Sequence, residues 1–440
     1  MHSGLVDVIR VLCFTEQDDM RTPENRRVFV VGYDVMTPLG HTFKDTWHAI
    51  VNGKTGFRRL TRCKVETCSN IVGEIPDWDP CETGIFNSKD VYNWNAAYIP
   101  MIMQTCREAI RHARIEIDKD IAPRMACIIG SALNGTDAFR IAMQNYMEKG
   151  PYKISPYLLP NLCANLPASK AGMLLKFTGP IFSPQSACAS GNHAIGLSAR
   201  MIRDGDCDFA LAGGVDACLL PEIIQGFANM GATIKVRPED RAYNDPGQAS
   251  RPFSVDRKGF VLAEGAGVLV LAAEEMVHTF GLKPMAEILG IGWTSDARHF
   301  VIARKETVIM ALKNAIFDAE LEPEDIHYIN AHGTSTVKGD KTEIECLKEV
   351  FGKRLPNIPV SSCKSQIGHT LGASAAIEAA MVIEAMHREI ILPTLNYIPD
   401  PELTDIDVVP DTPRQKKTEI VMSNAFGFGG TNCCIVLKGV

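Results

Sequence analysis

At 440 residues the chain can bury a large core and form two domains or two fused halves. Its apolar share of 46% and charged share of 22% are those of a soluble globular protein, and a net charge of −7 excludes whole-molecule attraction to nucleic acid or an anionic membrane. Fourteen cysteines without a C-x-x-C pair predict free thiols in a reducing, cytoplasmic setting, and no stretch is long and apolar enough for a membrane span.

Residues 1–25 carry Asp7, Glu16, Asp18 and Asp19 and no long apolar run. They read as an N-terminal extension, neither a secretory signal nor a basic transit peptide. Residues 26–32 (RRVFVVG) predict a buried strand. Lys54, Arg58, Arg59, Arg62 and Lys64 then fall close together, as a solvated charged face or a docking site for an acidic partner. Helices are predicted over 93–114, 137–149 and 160–175, and strands over 125–130, 208–212 and 267–271. Residues 237–252 read as a loop, and Gly281-Leu282-Lys283-Pro284 as a bridge into a second half. That half repeats the grammar, with strands at 286–292, 326–330, 359–361, 420–422 and 433–437 and helices at 305–320, 341–351 and 368–386. Alternation of this kind predicts an α/β architecture. The small-residue runs after Cys188 and after Gly368 suggest a duplicated unit.

Four stretches carry chemistry, one of them holding both Lys364 and His369. Cys188 lies between an extended segment at 181–183 and a helical run to Arg203, where free N–H groups and the helix dipole favour a thiolate. His332 follows a strand in a Gly/Thr/Ser turn. His369 heads the second small-residue run, a position that predicts a neutral, donating imidazole. Lys364, between a strand and a buried helix, needs an acid, and Glu343 is the candidate. The turn Gly427-Phe428-Gly429-Gly430 brings a backbone N–H near a reacting oxygen. One thiol and two histidines suit acyl transfer through a thioester. The spacing matches neither a zinc motif nor a phosphate-binding loop.

SACASGNHAIG, NAHGTST, SCKSQIGHTLGASA and NAFGFGGTN, in this order, resemble the β-ketoacyl-[acyl-carrier-protein] synthases of the KAS I/II type, from about residue 26 to the C-terminus. The two-histidine pattern separates the chain from the KAS III type. The resemblance implies a thiolase fold: two duplicated α/β halves, 26–280 with the cysteine and 281–440 with the histidines, in five αβαβα layers, as a homodimer or a heterodimer. It implies a decarboxylative condensation in fatty-acid or type II polyketide synthesis, with acyl and malonyl carrier protein as partners and no metal or redox cofactor. Cys188 would carry the acyl chain, and His332 and His369 would donate to the malonyl thioester oxygen. The N–H groups of Cys188 and Phe428 would form an oxyanion hole, with Phe428 as a gate. Lys364 with Glu343 would hold the histidine loop. Thr334, Thr336, Leu133 and Phe426 would line the substrate. Arg58, Arg59, Arg62, Lys64, Lys153 and Lys235 would form the basic docking surface for an acidic carrier protein.

Two departures stand out. After Ser295-Asp296-Ala297-Arg298-His299 the chain continues FVIARKE, where the family commonly has a longer loop rich in Thr and Pro, and the region after Phe227 is also divergent. Two other readings are a non-elongating partner subunit, which would usually lack the cysteine, and a thiolase, which would need a second catalytic cysteine in a Cys-x-Gly context.

Overall fold

The computed structural model describes residues 26–62, 69–94 and 96–440. The extension at 1–25 and Lys64 lie outside the described residues.

To the main sheet the first half contributes five strands: Val28–Met36 (β1), Met125–Gly130 (β2), Ile181–Phe182 (β3), Phe209–Asp216 (β4) and Gly265–Ala273 (β5). The second contributes Ala286–Ser295 (β6), Tyr328–Asn330 (β7), Pro359–Ser361 (β8), Ile420–Gly427 (β9) and Thr431–Gly439 (β10). All ten, with the short edge strand Asp407–Val408, lie in one 11-stranded sheet. Its order is Asp407–Val408, β8, β7, β9, β10, β6, β1, β5, β4, β2, β3. Numbered within its half, each half reads third, second, fourth, fifth, first, and the two first strands meet where Phe29 pairs with Glu287. In both halves the fifth strand runs antiparallel to its neighbours, while the second pairs parallel with the third and the fourth. This repeated order is the duplication that composition could only suggest.

Helices complete the layers. Tyr98–Ala113 (α1) and Leu166–Leu175 (α3), with Thr136–Lys149 (α2) between them in sequence, belong to the first half, and α1 and α3 cover the outer face of its strands. Lys305–Asp318 (α5) covers β6 and β10, with Val337–Phe351 (α6) packed beside it. Ser190–Arg203 (α4) and Ser374–His387 (α7) sit between the two sets of strands and touch both. Five αβαβα layers result. Apolar strand runs are explained by their position, since β1, β4 and β5 are buried along their whole length. The central helices approach closely at Gly191: a Cβ there would lie 2.9 Å from Ala376 N and 3.0 Å from Gly372 O.

One helix start differs from expectation. The helix predicted from 368 starts at Ser374, whereas the helix after the cysteine starts at Ser190, within a residue of the run read from about 189. Each is preceded by a short 3₁₀ turn, Leu371–Ala373 and Ala187–Ala189, whose first residue is left-handed, with φ 50° at Leu371 and 51° at Ala187. A left-handed residue cannot continue an α-helix. The two turns occupy corresponding places in the duplicated halves, so Cys188 matches Gly372. The predicted strand 420–422 also extends to Gly427, because Asn424, Ala425 and Phe426 pair with Cys434, Cys433 and Asn432.

Candidate active site

Cys188 lies in the turn before α4 rather than in its first helical turn, and it is 7% exposed. It belongs to a small apolar cluster with Val72, Leu219, Phe260 and Leu371. Burial pushes the thiol up to about 12, against the opposing pull of the Lys364 charge and of the N–H groups of Phe428 and Cys188. The expected lowering by a helix terminus is therefore corrected: loss of water outweighs the backbone dipoles. Alkylation of Cys188 by iodoacetamide is expected to keep accelerating from pH 7 to beyond pH 9, as thiolate accumulates. A rate that levels off near neutrality would contradict this.

The sulfur lies 3.1 Å from His369 Nε2. His369 is held by its backbone, which donates to Val261 O at 2.8 Å and accepts from Ala263 N at 3.0 Å. Gly368 just before it has φ 77°, and Phe260 packs edge-on at 5.2 Å between ring centroids. His332 stands at the end of β7, with its ring 5.5 Å from that of His369 and nearly perpendicular to it. Phe426 supports it from another side at 5.6 Å. Thus Cys188 from one half and both histidines from the other meet at one point.

Glu343, on the first turns of α6, does hold the histidine loop, but without Lys364. Its two oxygens accept the N–H groups of His332 and Gly333, both at 2.8 Å, and Asn424 Nδ2 at 3.3 Å. Lys364 is instead ion-paired with Glu378 on α7, and both side chains are 1% exposed. The expected Lys364–Glu343 pair is corrected on this geometry: the two backbone donors already occupy Glu343, while Glu378 would otherwise be an unpaired buried acid. Glu378 also accepts Asn330 Nδ2 at 3.3 Å. The signal in the sequence was Glu378 in the most apolar stretch of a helix that has only one other acid, Glu384, and a buried acid there needs a cation. Burial, and then the Lys364 charge, hold both histidines well below their ordinary pKa, so both are neutral near pH 7.

Phe428 sits in the turn between β9 and β10, closed by Gly430 N donating to Gly427 O at 3.1 Å. Gly429 and Gly430 have φ 82° and 72°, a conformation that L side chains resist. Thr431 Oγ1 donates to Ser186 O at 2.8 Å and ties this turn to the cysteine turn. The Phe428 ring packs between Phe227 and Phe300, and Gly429 N donates to Phe300 O at 2.7 Å. Phe300 lies in the divergent loop after His299. With Val301 and Ile302 it gives an exposed apolar rim where Thr and Pro were expected.

A cavity of about 790 Å³ joins these parts. Cys188, His332, His369, Phe426 and Phe428 line it, as do Leu133, Thr334 and Thr336. Asp216, which the sequence did not single out, braces its floor by accepting the N–H groups of Ala132, Leu133 and Gly372 at 2.7 to 2.9 Å. The basic candidates are scattered. Arg58 and Arg62 line a different cavity of about 750 Å³, where Arg62 is ion-paired with Glu74 and Glu264. Arg59 is exposed but engaged with Asn70 at 3.1 Å and with Tyr243 O at 2.7 Å. Lys153 and Lys235 are exposed. The cations that line the Cys188 cavity are Lys258 and Lys338, neither of them singled out from sequence. Among the described residues no group of three or more His, Cys, Asp or Glu side chains is placed to hold a metal, and no helix is long and apolar enough to cross a membrane.

Comparison with known proteins agrees with this geometry. Residues 25–276 match the Beta-ketoacyl synthase, N-terminal domain, and 285–398 match the Beta-ketoacyl synthase, C-terminal domain. The 3-oxoacyl-[acyl-carrier-protein] synthase 2 of Coxiella burnetii is 36% identical over 420 residues, covering 95% of this chain and 99% of that protein. Its namesake in Staphylococcus aureus strain COL is 34% identical over 94% of this chain and 99% of that protein. Among solved structures, a beta-ketoacyl synthase from Burkholderia phymatum superposes with a TM-score of 0.85 at 30% identity, covering 94% of this chain and all of that one. A type II PKS ketosynthase in complex with its acyl-carrier protein and bound to the hexaketide gives 0.85 at 27%, over 95% of this chain and all of that one. The chain belongs to the β-ketoacyl synthase family.

Proposed function

We propose that the protein is a β-ketoacyl-[acyl-carrier-protein] synthase of the KAS II type, an acyltransferase that joins an acyl group to malonyl carrier protein in fatty-acid or type II polyketide synthesis. The observation that carries this reading is the meeting of Cys188, His369 and His332 in one cavity, with His369 Nε2 at 3.1 Å from the sulfur.

In the first half-reaction Cys188 Sγ attacks the acyl carbonyl. The N–H groups of Cys188 and Phe428 stabilise the oxyanion. The carrier departs as a thiol with the proton that Cys188 gives up. In the second, malonyl carrier protein enters past Thr334 and Thr336. Its C–CO₂⁻ bond breaks, CO₂ leaves, and the electron pair moves into an enolate whose oxygen lies against two neutral imidazoles. Neutral donors suit that oxygen, since they stabilise the developing charge without protonating the carbon. The enolate carbon attacks the acyl-Cys188 carbonyl, a C–C bond forms, the C–S bond breaks, and the returning thiolate takes up a proton. Leu133 and the apolar cluster beneath Cys188 take the acyl chain, and Phe428 gates the two steps. Retention of the full cysteine and histidine set disfavours the non-elongating partner subunit. The thiolase reading is disfavoured by Cys433 and Cys434, which lie fully buried within β10.

Carrier protein docks, on this reading, where Lys258 and Lys338 line the cavity, with exposed Lys235 following three residues after the cavity-lining Ala232. A second copy of the chain covers the open sheet edge at β3 together with Met173, which is 72% exposed on the helix α3 that packs against that strand. Ketosynthases with chain length factor partners give similar folds. The free described cysteines fit a reducing cytoplasm. One experiment tests the whole. The protein is mixed with malonyl carrier protein and a panel of acyl carrier proteins, and intact mass is read under native and denaturing conditions. Expected are a two-copy mass, acylated Cys188 and a 3-oxoacyl product, with K338E slowing acylation by about tenfold at low salt. No acylation with any primer would sink the reading, and an unchanged K338E would sink the docking site.

A further inference from the structure

The catalytic cysteine and histidines leave one buried polar cluster unexplained: Thr370 and Ser374, at the head of α7. Ser374 is 2% exposed and Thr370 is fully buried. Ser374 Oγ lies 3.0 Å from His369 Nδ1, accepts the Thr370 N–H at 3.0 Å, and lies 3.0 Å from Thr370 Oγ1. We infer that Ser374 is a positioning residue whose hydroxyl donates to His369 Nδ1 and so holds the ring as the tautomer with its proton on Nε2, facing Cys188.

The proton count decides the direction. A hydroxyl oxygen has two acceptor sites and one proton to give. Among the described residues, the only hydrogen-bond partner of the Thr370 hydroxyl is Ser374 Oγ. A buried hydroxyl proton needs an acceptor, so Thr370 donates to Ser374. The Thr370 N–H fills the second acceptor site. The Ser374 proton then has one remaining target, His369 Nδ1. With Nδ1 accepting, a neutral imidazole carries its proton on Nε2, 3.1 Å from the sulfur. The reverse chain, with Nδ1–H donating to Ser374 and Ser374 donating to Thr370, strands the Thr370 proton and turns a bare Nε2 toward the site. That ring could not donate to an enolate oxygen.

This inference rests on the functional reading above, and its test separates the two. The variants are Ser374→Ala and Ser374→Thr. Decarboxylation of malonyl carrier protein is measured alongside ¹⁵N spectra of histidine-labelled protein, with the His369 signal assigned by its loss in His369→Asn. Wild-type protein is expected to show an unprotonated Nδ1 at His369, a readout that does not depend on the Ser374 variants folding. Ser374→Ala is expected to lower kcat by about tenfold to a hundredfold with KM little changed, and to mix the two tautomers in the spectrum. Ser374→Thr, which keeps the hydroxyl, is expected to stay within about threefold of wild type. A wild-type spectrum with the proton on Nδ1 overturns the inference, as does a folded Ser374→Ala with unchanged kcat. Wild-type protein that decarboxylates no malonyl thioester overturns the functional reading instead, and the spectrum still decides the tautomer.

Discussion

Cys188→Ala is expected to abolish condensation, by about four orders of magnitude or more, while decarboxylation of malonyl carrier protein continues. The two activities come apart because the structure divides them. Acyl transfer needs a nucleophile, and among the described residues Cys188 is the one thiol that lines the cavity. Cys218 belongs to the same apolar cluster but is fully buried and does not line the cavity. Decarboxylation needs only donors at the thioester oxygen, and His332 and His369 are fixed without the sulfur's help. Glu343 holds one through backbone N–H groups, and Val261, Ala263 and Ser374 hold the other. The substitution removes a single atom from a site 7% exposed, so the fold is expected to survive. The measurement is CO₂ release beside 3-oxoacyl product formation. Loss of both together would mean that the sulfur also organises the malonyl group. Condensation that persists would remove Cys188 from the mechanism.

The sequence was most legible where chemistry and local conformation coincide. Strand 125–130 and strand 359–361 appear with the predicted bounds, because short apolar stretches bounded by Pro, Gly or Ser carry their limits locally. The four motifs likewise sit at strand ends and helix heads, as their glycines required. Fold order was less legible. β3 has two residues and is a strand only because Cys127 and Ile128 on β2 pair with it. Partner choice inside the site was the least legible. Glu343 and Glu378 are both acids near Lys364 in sequence, and only the packing of α7 between the two halves decides which one meets it. The thiol pKa failed for a related reason: a helix terminus is visible in sequence, whereas the apolar wall of Val72, Leu219 and Phe260 that dries the sulfur comes from distant segments. Docking residues were hard to read because charge clustering along the chain says nothing about the partner across space. Arg62 reads as a surface cation and is spent on Glu264.

Lys364→Met is expected to lower unfolding free energy by about 3–5 kcal/mol, since it leaves the Glu378 carboxylate buried at 1% exposure without its cation. Adding Glu378→Leu is expected to restore most of that loss, because an apolar pair of similar volume removes both desolvation costs. Denaturant midpoints of the two single variants and the double variant check this. If the double variant is no more stable than Lys364→Met, the pair is not the source of the loss. Activity adds a second readout. The Lys364 charge lowers the pKa of both histidines, after burial, and it also draws the Cys188 thiol down. Removing a cation makes imidazolium less costly, so each histidine protonates at a higher pH. A protonated His369 loses the lone pair at Nδ1 that accepts from Ser374, and donates to the enolate as an acid that can quench it. The acid limb of kcat for the stabilised double variant is therefore expected to move to higher pH, and its acylation rate at neutral pH to fall as the thiol becomes weaker still. A restored fold with an unmoved acid limb would leave Lys364 a structural residue only, and would place the neutrality of the two histidines on burial alone.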